Sequence, residues 1–142
     1  MYSQEADVAA PKDPLYSDLD LSLAKNPMSG DVVPVLDEAA VRRCIKRIIQ
    51  IRRFDIPFEP DKSAYIEEFL FDPATLTTAA AIKDRVAFAL NKMEPRATYE
   101  VEVNPRTVEL GNEPQGYDIE VRYTVKSLMV NGNIQHFLER VR

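Results

Sequence analysis

The 142-residue chain contains few residues that could perform covalent catalysis. His136 is its one histidine and Cys44 its one cysteine, and no Gly-x-Ser-x-Gly motif accompanies them, so a nucleophilic triad is not indicated. A transition-metal site would have to be built chiefly from carboxylates. The four glycines form neither a P-loop nor a dinucleotide fingerprint. We therefore expect no catalytic residue, no metal and no cofactor.

Hydrolysis of a glycosidic bond is the chemistry that carboxylates alone could provide. It requires two carboxylates on either side of a cleft, one of them with a raised pKa. Glu59 and Glu94 can be nominated, but nothing in the sequence pairs them. The sequence therefore favours a protein without enzyme activity, and a glycoside hydrolase stays open as an alternative.

A basic segment is the densest charge feature of the chain. Such a surface is usually solvated, but it could also bind an acidic partner or, less often, phosphate. The net charge of −5 and the absence of aromatic residues among the basic ones argue against nucleic acid, which stays a further alternative. The basic residues are Arg42, Arg43, Lys46, Arg47, Arg52 and Arg53.

Apolar residues at helical spacing predict three helices before residue 94. Asp37 and Ser63 would cap the first two helices, and Thr77 or Thr78 the third, through their side-chain oxygens. Cys44 falls on the apolar stripe of the first helix, where we expect a small buried residue. The first predicted helix begins at Asp37, the second runs from Ser63 to about Leu70, and the third runs from Thr77 or Thr78 to about Met93.

Alternation of apolar and polar residues predicts a small antiparallel sheet after residue 96. Pro105 would interrupt the first strand at a bulge or an edge position. Asn131-Gly132-Asn133 predicts a hairpin turn, and residues 134–141 would form the third strand, although they also fit a helix. The strands would cover residues 99–110, 117–125 and 134–141, with a hairpin loop at residues 111–116. The predicted class is α+β, with about three helices on two to three strands.

The N-terminal region is expected to be extended. Residues 1–14 would be a flexible tail, and residues 15–142 one domain. Leu19 and Leu21 alternate with Asp18 and Asp20, which predicts an arm with one apolar edge that packs on its own core or on a neighbour. The chain has no export signal and no apolar run near about 18 residues, so we expect no membrane partner.

The helical and strand patterns meet at Glu94-Pro95-Arg96. A proline cannot donate a backbone hydrogen bond and moves the preceding residue out of the helical region, so Pro95 should end the third helix. An acid and a base on either side of a rigid corner could form a structural junction or a docking surface. We favour a docking pair on a neighbouring protein.

The order of these features resembles the small baseplate wedge subunits of contractile phage tails, which have relatives in type VI secretion and other injection systems. The resemblance rests on motifs between about residues 16 and 125, and Ile56 and Asp61-Lys62-Ser63 depart from the family pattern. The motifs are the Asp18-Leu19-Asp20-Leu21 arm, Asn26-Pro27 with Gly30-Asp31, the helix at residues 40–49, Pro57-Phe58-Glu59-Pro60, Phe69-Leu70-Phe71-Asp72-Pro73, Leu76-Thr77-Thr78-Ala79, Ala89-Leu90 and Glu94-Pro95-Arg96.

The resemblance implies a structural role at the junction of baseplate and sheath, and the lysozyme-like label of the family is not carried over. Its implied partners are other wedge proteins, the sheath protein and tube or hub proteins, in a baseplate assembled in the host cytoplasm. The Glu-Pro-Arg corner would dock on the helical core bundle of the wedge, and a strand edge would pair with the first sheath ring. The expected contact residues are Glu94, Pro95 and Arg96 at the corner, Asp18, Leu19, Asp20 and Leu21 in the arm, and Ile134, His136 and Leu138 in the last strand.

Overall fold

The computed structural model describes residues 13–59, 62–107 and 114–139. It confirms the α+β class: helices pack on one face of a three-stranded antiparallel sheet, and a separate two-stranded ribbon precedes them. In chain order the elements are β1 (Ser17–Leu19), β2 (Pro34–Leu36), α1 (Asp37–Gln50), a 3-10 helix (Ile66–Phe71), α2 (Leu76–Met93), β3 (Ala97–Thr107), β4 (Pro114–Val125) and β5 (Val130–Glu139).

The main sheet has the order β3-β4-β5, and its two faces differ because side chains alternate along each strand. Val101, Val121 and Ile134 lie side by side on the buried face, against the apolar stripes of α1 and α2. On the opposite face Arg122 forms ion pairs with three glutamates of β3 and β4, at 3.2 to 3.7 Å. The tight packing of one face fixes the register of all three strands.

The arm is less buried than expected, and Asp37 acts differently from a cap. β1 pairs with β2, while Leu19 and Leu21 stay exposed instead of packing on the core. The Asp37 carboxylate accepts hydrogen bonds from the backbone N–H groups of Leu15 (2.8 Å) and Tyr16 (3.1 Å), and no side chain caps α1. The cap prediction for Asp37 is therefore wrong, because the carboxylate is used to hold the arm.

The other two cap predictions also need correction. Ser63 does not cap the 3-10 helix, which begins three residues later; its hydroxyl donates to the Ile51 carbonyl (2.5 Å) and accepts from the Tyr65 N–H (3.0 Å). The cap of α2 is Thr75, which accepts from the Thr78 N–H at 3.2 Å. A hydroxyl three residues before the target N–H has the geometry that a cap requires, and Thr75 precedes both predicted candidates.

The Asn-Gly turn prediction is wrong. The β4–β5 turn lies at residues 126–129, and Asn131, Gly132 and Asn133 lie inside β5. Gly132 pairs with Tyr123, whose buried ring covers the glycine where a Cβ atom would otherwise stand. A local turn signal is thus overridden by cross-strand packing of an aromatic ring on a glycine.

Other strand boundaries agree in part with the sequence analysis. The last segment is a strand rather than a helix, as expected, and Pro105 lies on β3, an edge strand whose register shifts between Arg106 and Thr107. β4 already begins at Pro114, so the predicted loop ends earlier than residue 116. Residues 1–12, 60–61, 108–113 and 140–142, including most of the predicted tail and half of the predicted loop, lie outside the described residues. Within the part that is described, no helix is long and apolar enough to cross a membrane.

The Tyr123–Gly132 contact gives a test of the register. We expect Gly132→Ala to lower the free energy of unfolding by about 1–3 kcal/mol, because the added methyl group would overlap the Tyr123 ring. Gln135→Ala, at an exposed position of the same strand, should change it by less than about 0.5 kcal/mol. Urea unfolding measures both values, and equal effects of the two substitutions would contradict this register.

Candidate functional site

Glu94 and Arg96 form a bidentate ion pair at the point where α2 ends and β3 begins. The Arg96 Nε lies 2.6 Å from Glu94 Oε1, and a terminal guanidinium nitrogen lies 2.5 Å from Oε2. The Arg96 backbone N–H also donates to Glu94 Oε1, at 3.3 Å. With Pro95 between them, the two side chains close a compact corner that joins the helix to the sheet.

The pair is buried on one side and open on the other. The Glu94 side chain is only 1% exposed, whereas 33% of the Arg96 side chain remains exposed. Glu94 therefore cannot contact a partner over any appreciable area. Arg96 keeps a third of its side chain accessible, in an orientation that the buried carboxylate fixes.

The electrostatics of the corner keep both charges in place. Burial by itself would raise the pKa of Glu94, but hydrogen bonds from Arg96 and from the Cys44 thiol outweigh burial and hold this pKa below its usual value. The same carboxylate raises the pKa of Arg96. Burial and then the neighbouring Glu94 raise the pKa of Cys44 to about 12, so the thiol stays protonated and is a poor nucleophile.

Three further segments attach to this corner. The Tyr99 hydroxyl donates to the Glu94 carbonyl at 2.5 Å, and the Lys126 ammonium donates to the Pro95 carbonyl at 2.9 Å. The Arg96 guanidinium lies 5.1 Å from the centre of the Tyr16 ring, a cation–π contact. The N-terminal arm, β3 and the β4–β5 turn therefore all meet at the end of α2.

Tyr16, Tyr99 and Lys126 were not among the predicted site residues. Tyr99 was visible in the sequence only as one apolar position of a strand, and its hydroxyl gave no separate signal. Tyr16 stood at the start of the arm, 80 residues before Arg96 in the chain. No local pattern connects residues at such separations, so only the tertiary structure identifies them.

The predicted arm residues divide into two kinds. Asp20 is paired with Arg43 at 2.9 Å, and the Ser22 N–H and then Arg43 lower its pKa. Asp18 accepts a hydrogen bond from the neighbouring Leu19 N–H. Leu19 and Leu21 are 54% and 69% exposed and present apolar side chains to the surface. The arm therefore offers an apolar strip whose polar neighbours are already engaged.

The predicted residues of β5 face inwards. Ile134 and Leu138 are buried in the core, and His136 lies half-buried between them. Burial and then Lys46 lower the pKa of His136, so the imidazole is neutral at pH 7. What β5 exposes is its backbone edge: β4 pairs with one side of it, and no described strand pairs with the other. The structure thus brings the arm to the corner through Tyr16, whereas Ile134 and Leu138 belong to the core.

The carboxylates nominated for hydrolysis are poorly suited to it. Glu94 has a lowered pKa, the opposite of what a general acid needs, and Glu59 lies at an exposed position 2.6 Å from Lys62. Within residues 13–59, 62–107 and 114–139, no group of three or more His, Cys, Asp or Glu side chains could hold a metal ion.

Comparison with known proteins relates the chain to two solved structures. No protein-family model matches it, and no curated protein does. A candidate tail lysozyme from Geobacter sulfurreducens is 24% identical, with a TM-score of 0.64 over 76% of this chain and 96% of that one. The baseplate of the anti-feeding prophage contains a chain with 16% identity and a TM-score of 0.65, over 78% of this chain and 85% of that one. The chain shares the fold of both.

The corner pair gives a prediction for stability. We expect Arg96→Met to lower the free energy of unfolding by roughly 3 kcal/mol, because it leaves the Glu94 carboxylate buried without its partner. The double variant Glu94→Gln/Arg96→Met should lose less than Arg96→Met, since no unpaired buried charge remains. Chemical unfolding of the two variants and the wild type decides the point. A double variant that is no more stable than Arg96→Met would contradict it.

Proposed function

We propose that this chain is a noncatalytic structural component of the baseplate of a contractile injection system, where it joins the wedge to the first ring of the sheath. The observation that carries the proposal is a fold shared with a chain of the anti-feeding prophage baseplate, combined with a preorganised basic corner and open strand edges. The motif resemblance noted in the sequence points to the same role and to a location in a tail or injection-system baseplate.

The corner supports a docking role for Arg96. An arginine that is held in a fixed orientation loses little conformational entropy on binding, so it can contribute more affinity than a flexible one. The buried Glu94 would act only by positioning Arg96, and Pro95 would fix the geometry between them. The proposed partner is another wedge protein, as the family resemblance implies.

The free edge of β5 supports a contact with the sheath. An unpaired strand edge presents backbone donors and acceptors on which a strand of another chain can be added. The outward-facing side chains along this strand are mostly polar, so backbone pairing would supply much of the affinity. The exposed Leu19 and Leu21 of the arm are a second candidate for such a contact.

A glycoside hydrolase is the alternative that the Geobacter sulfurreducens neighbour raises, because that protein is described as a candidate tail lysozyme. The state of Glu94 argues against it, since an ionised carboxylate bound to an arginine cannot serve as the proton donor.

A turbidity assay with purified peptidoglycan separates the structural function from the hydrolase function. We expect no clearing of the peptidoglycan suspension, and clearing that is lost in Glu94→Gln would overturn the proposal.

The docking role of Arg96 can be separated from its role in folding. The double variant Glu94→Gln/Arg96→Met removes both charges of the corner and should remain folded by circular dichroism. We expect it to lose copurification with the wedge proteins of the same particle, because the exposed part of Arg96 is gone. Lys83→Met, which removes an exposed cation elsewhere on α2, is the control and should copurify normally. A folded double variant that still copurifies would contradict the docking role.

Prolines in β5 test the edge contact. Successive strand residues direct their backbone N–H groups to opposite sides of the strand. One of the two substitutions Gln135→Pro and His136→Pro therefore removes a hydrogen bond to β4, and the other removes a donor on the unpaired edge. The variant that keeps the wild-type circular dichroism spectrum and melting temperature is the informative one. We expect this variant to fail in sheath assembly on the baseplate, as seen by electron microscopy. Normal sheaths with it would exclude the β5 edge as the contact.

A further inference from the structure

Most basic residues of α1 and the loop after it have no acidic partner among the described residues. Two of them are paired, Arg43 with Asp20 and Arg53 with Glu68. The other four form no ion pair with an acid in residues 13–59, 62–107 or 114–139; they are Arg42, Lys46, Arg47 and Arg52. Every described arginine elsewhere has an acidic partner: Arg85, Arg96, Arg106 and Arg122.

One of these unpaired cations, Arg47, lines an apolar groove. The groove, of about 760 Å³, runs between α1, residues 51–59 with Lys62, and the end of α2. Beyond Arg47 it adjoins a second groove of about 560 Å³, which lies between α1 and the arm and includes Lys46. We name the combined feature the α1 groove. Its apolar lining includes Ile51, Ile56, Phe58 and Met93 from the first part, and Leu19 and Leu21 from the second.

The acids within the α1 groove are already engaged. Asp18 accepts from the Leu19 N–H, Asp55 accepts from the Arg52 N–H at 2.9 Å, and Glu59 is paired with Lys62. Lys92, at the end of α2, lies 5.9 Å from the centre of the Phe88 ring and has no carboxylate partner among the described residues. Arg47, Lys46 and Lys92 thus have no carboxylate partner among the described residues, and they outnumber Asp18 and Asp55, the two groove acids without a cationic partner.

We propose that the α1 groove binds an acidic amphipathic segment of another protein. Apolar side chains of that segment would cover Ile51, Ile56 and Met93, and its carboxylates would pair with Arg47, Lys46 and Lys92. Charge complementarity decides this occupant: the chain as a whole carries a net charge of −5, so a second copy would be repelled on average. A nucleic-acid backbone would match the cations but would leave the apolar floor uncovered.

A binding experiment with the full chain tests this inference without any baseplate protein, so its outcome is independent of the proposed assembly role. The probes are two fluorescent amphipathic peptides of about 20 residues with the same leucine face, one with glutamate and one with lysine on the other face. We expect anisotropy to show binding of the glutamate peptide alone, weakened by added salt. No binding of that peptide, or equal binding of the lysine peptide, would overturn the inference.

Matched charge reversals locate the site. Arg47→Glu/Lys92→Glu should weaken binding of the glutamate peptide by about tenfold or more, because both cations flank the groove. Lys25→Glu/Lys83→Glu changes the net charge equally at exposed positions outside the groove and should change the affinity less than about twofold. Equal losses in both variants would show a net-charge effect and overturn the site. Displacement of the peptide by an equal concentration of a 20-nucleotide DNA strand would identify a phosphate site instead.

Discussion

The ion pair between Glu94 and Arg96 is the interaction on which the junction of helix and sheet depends. A carboxylate that is 99% removed from solvent is costly unless a cation and further donors satisfy it, and Arg96 supplies three of those donors. Because the two residues are separated only by Pro95, satisfying the charge fixes the angle at which β3 leaves α2. The orientation of the sheet relative to α2 therefore depends on this corner.

Other parts of the chain are attached to the same corner through Arg96 and its neighbours. The Tyr16 ring on the guanidinium holds the start of the arm, and the Tyr16 hydroxyl donates to Ser127 at 2.8 Å in the β4–β5 turn. Lys126 adds two bonds, from its backbone N–H to the Arg96 carbonyl and from its side chain to the Pro95 carbonyl. A local acid–base pair therefore organises contacts between segments that are far apart in sequence.

The buried and the exposed groups of the corner have different roles. A buried carboxylate with a lowered pKa stays ionised and paired with Arg96, and a thiol with a raised pKa stays protonated, so both groups serve the structure of the corner. The proposed docking role rests on the part of the Arg96 side chain that stays exposed. The surface is formed by the exposed part of Arg96, the apolar strip of the arm, the free edge of β5 and the α1 groove. These features differ in chemistry: one is cationic, one apolar, one a backbone edge, and one an apolar groove with cations.

Strong periodicity made much of the fold predictable. The stripe of α2 and the alternation along β3 and β4 identified those elements, and Pro95 identified the corner between them, because each signal is local and repeated. The Asn-Gly turn and the caps were predicted incorrectly. In two of these cases a tertiary contact overrides a local preference: the Tyr123 ring packs on Gly132, and the Asp37 carboxylate binds the arm backbone. The pairing of Glu94 with Arg96 was visible as adjacency in sequence, but the burial of Glu94 was not.

A cryo-electron microscopy reconstruction of an intact contractile particle that contains this chain would locate it among its neighbours. We expect the chain between the baseplate wedge and the first sheath ring, with the exposed side of Arg96 against a wedge protein and a sheath strand added to the edge of β5. A chain found elsewhere in the particle, or found there with both surfaces open to solvent, would contradict it.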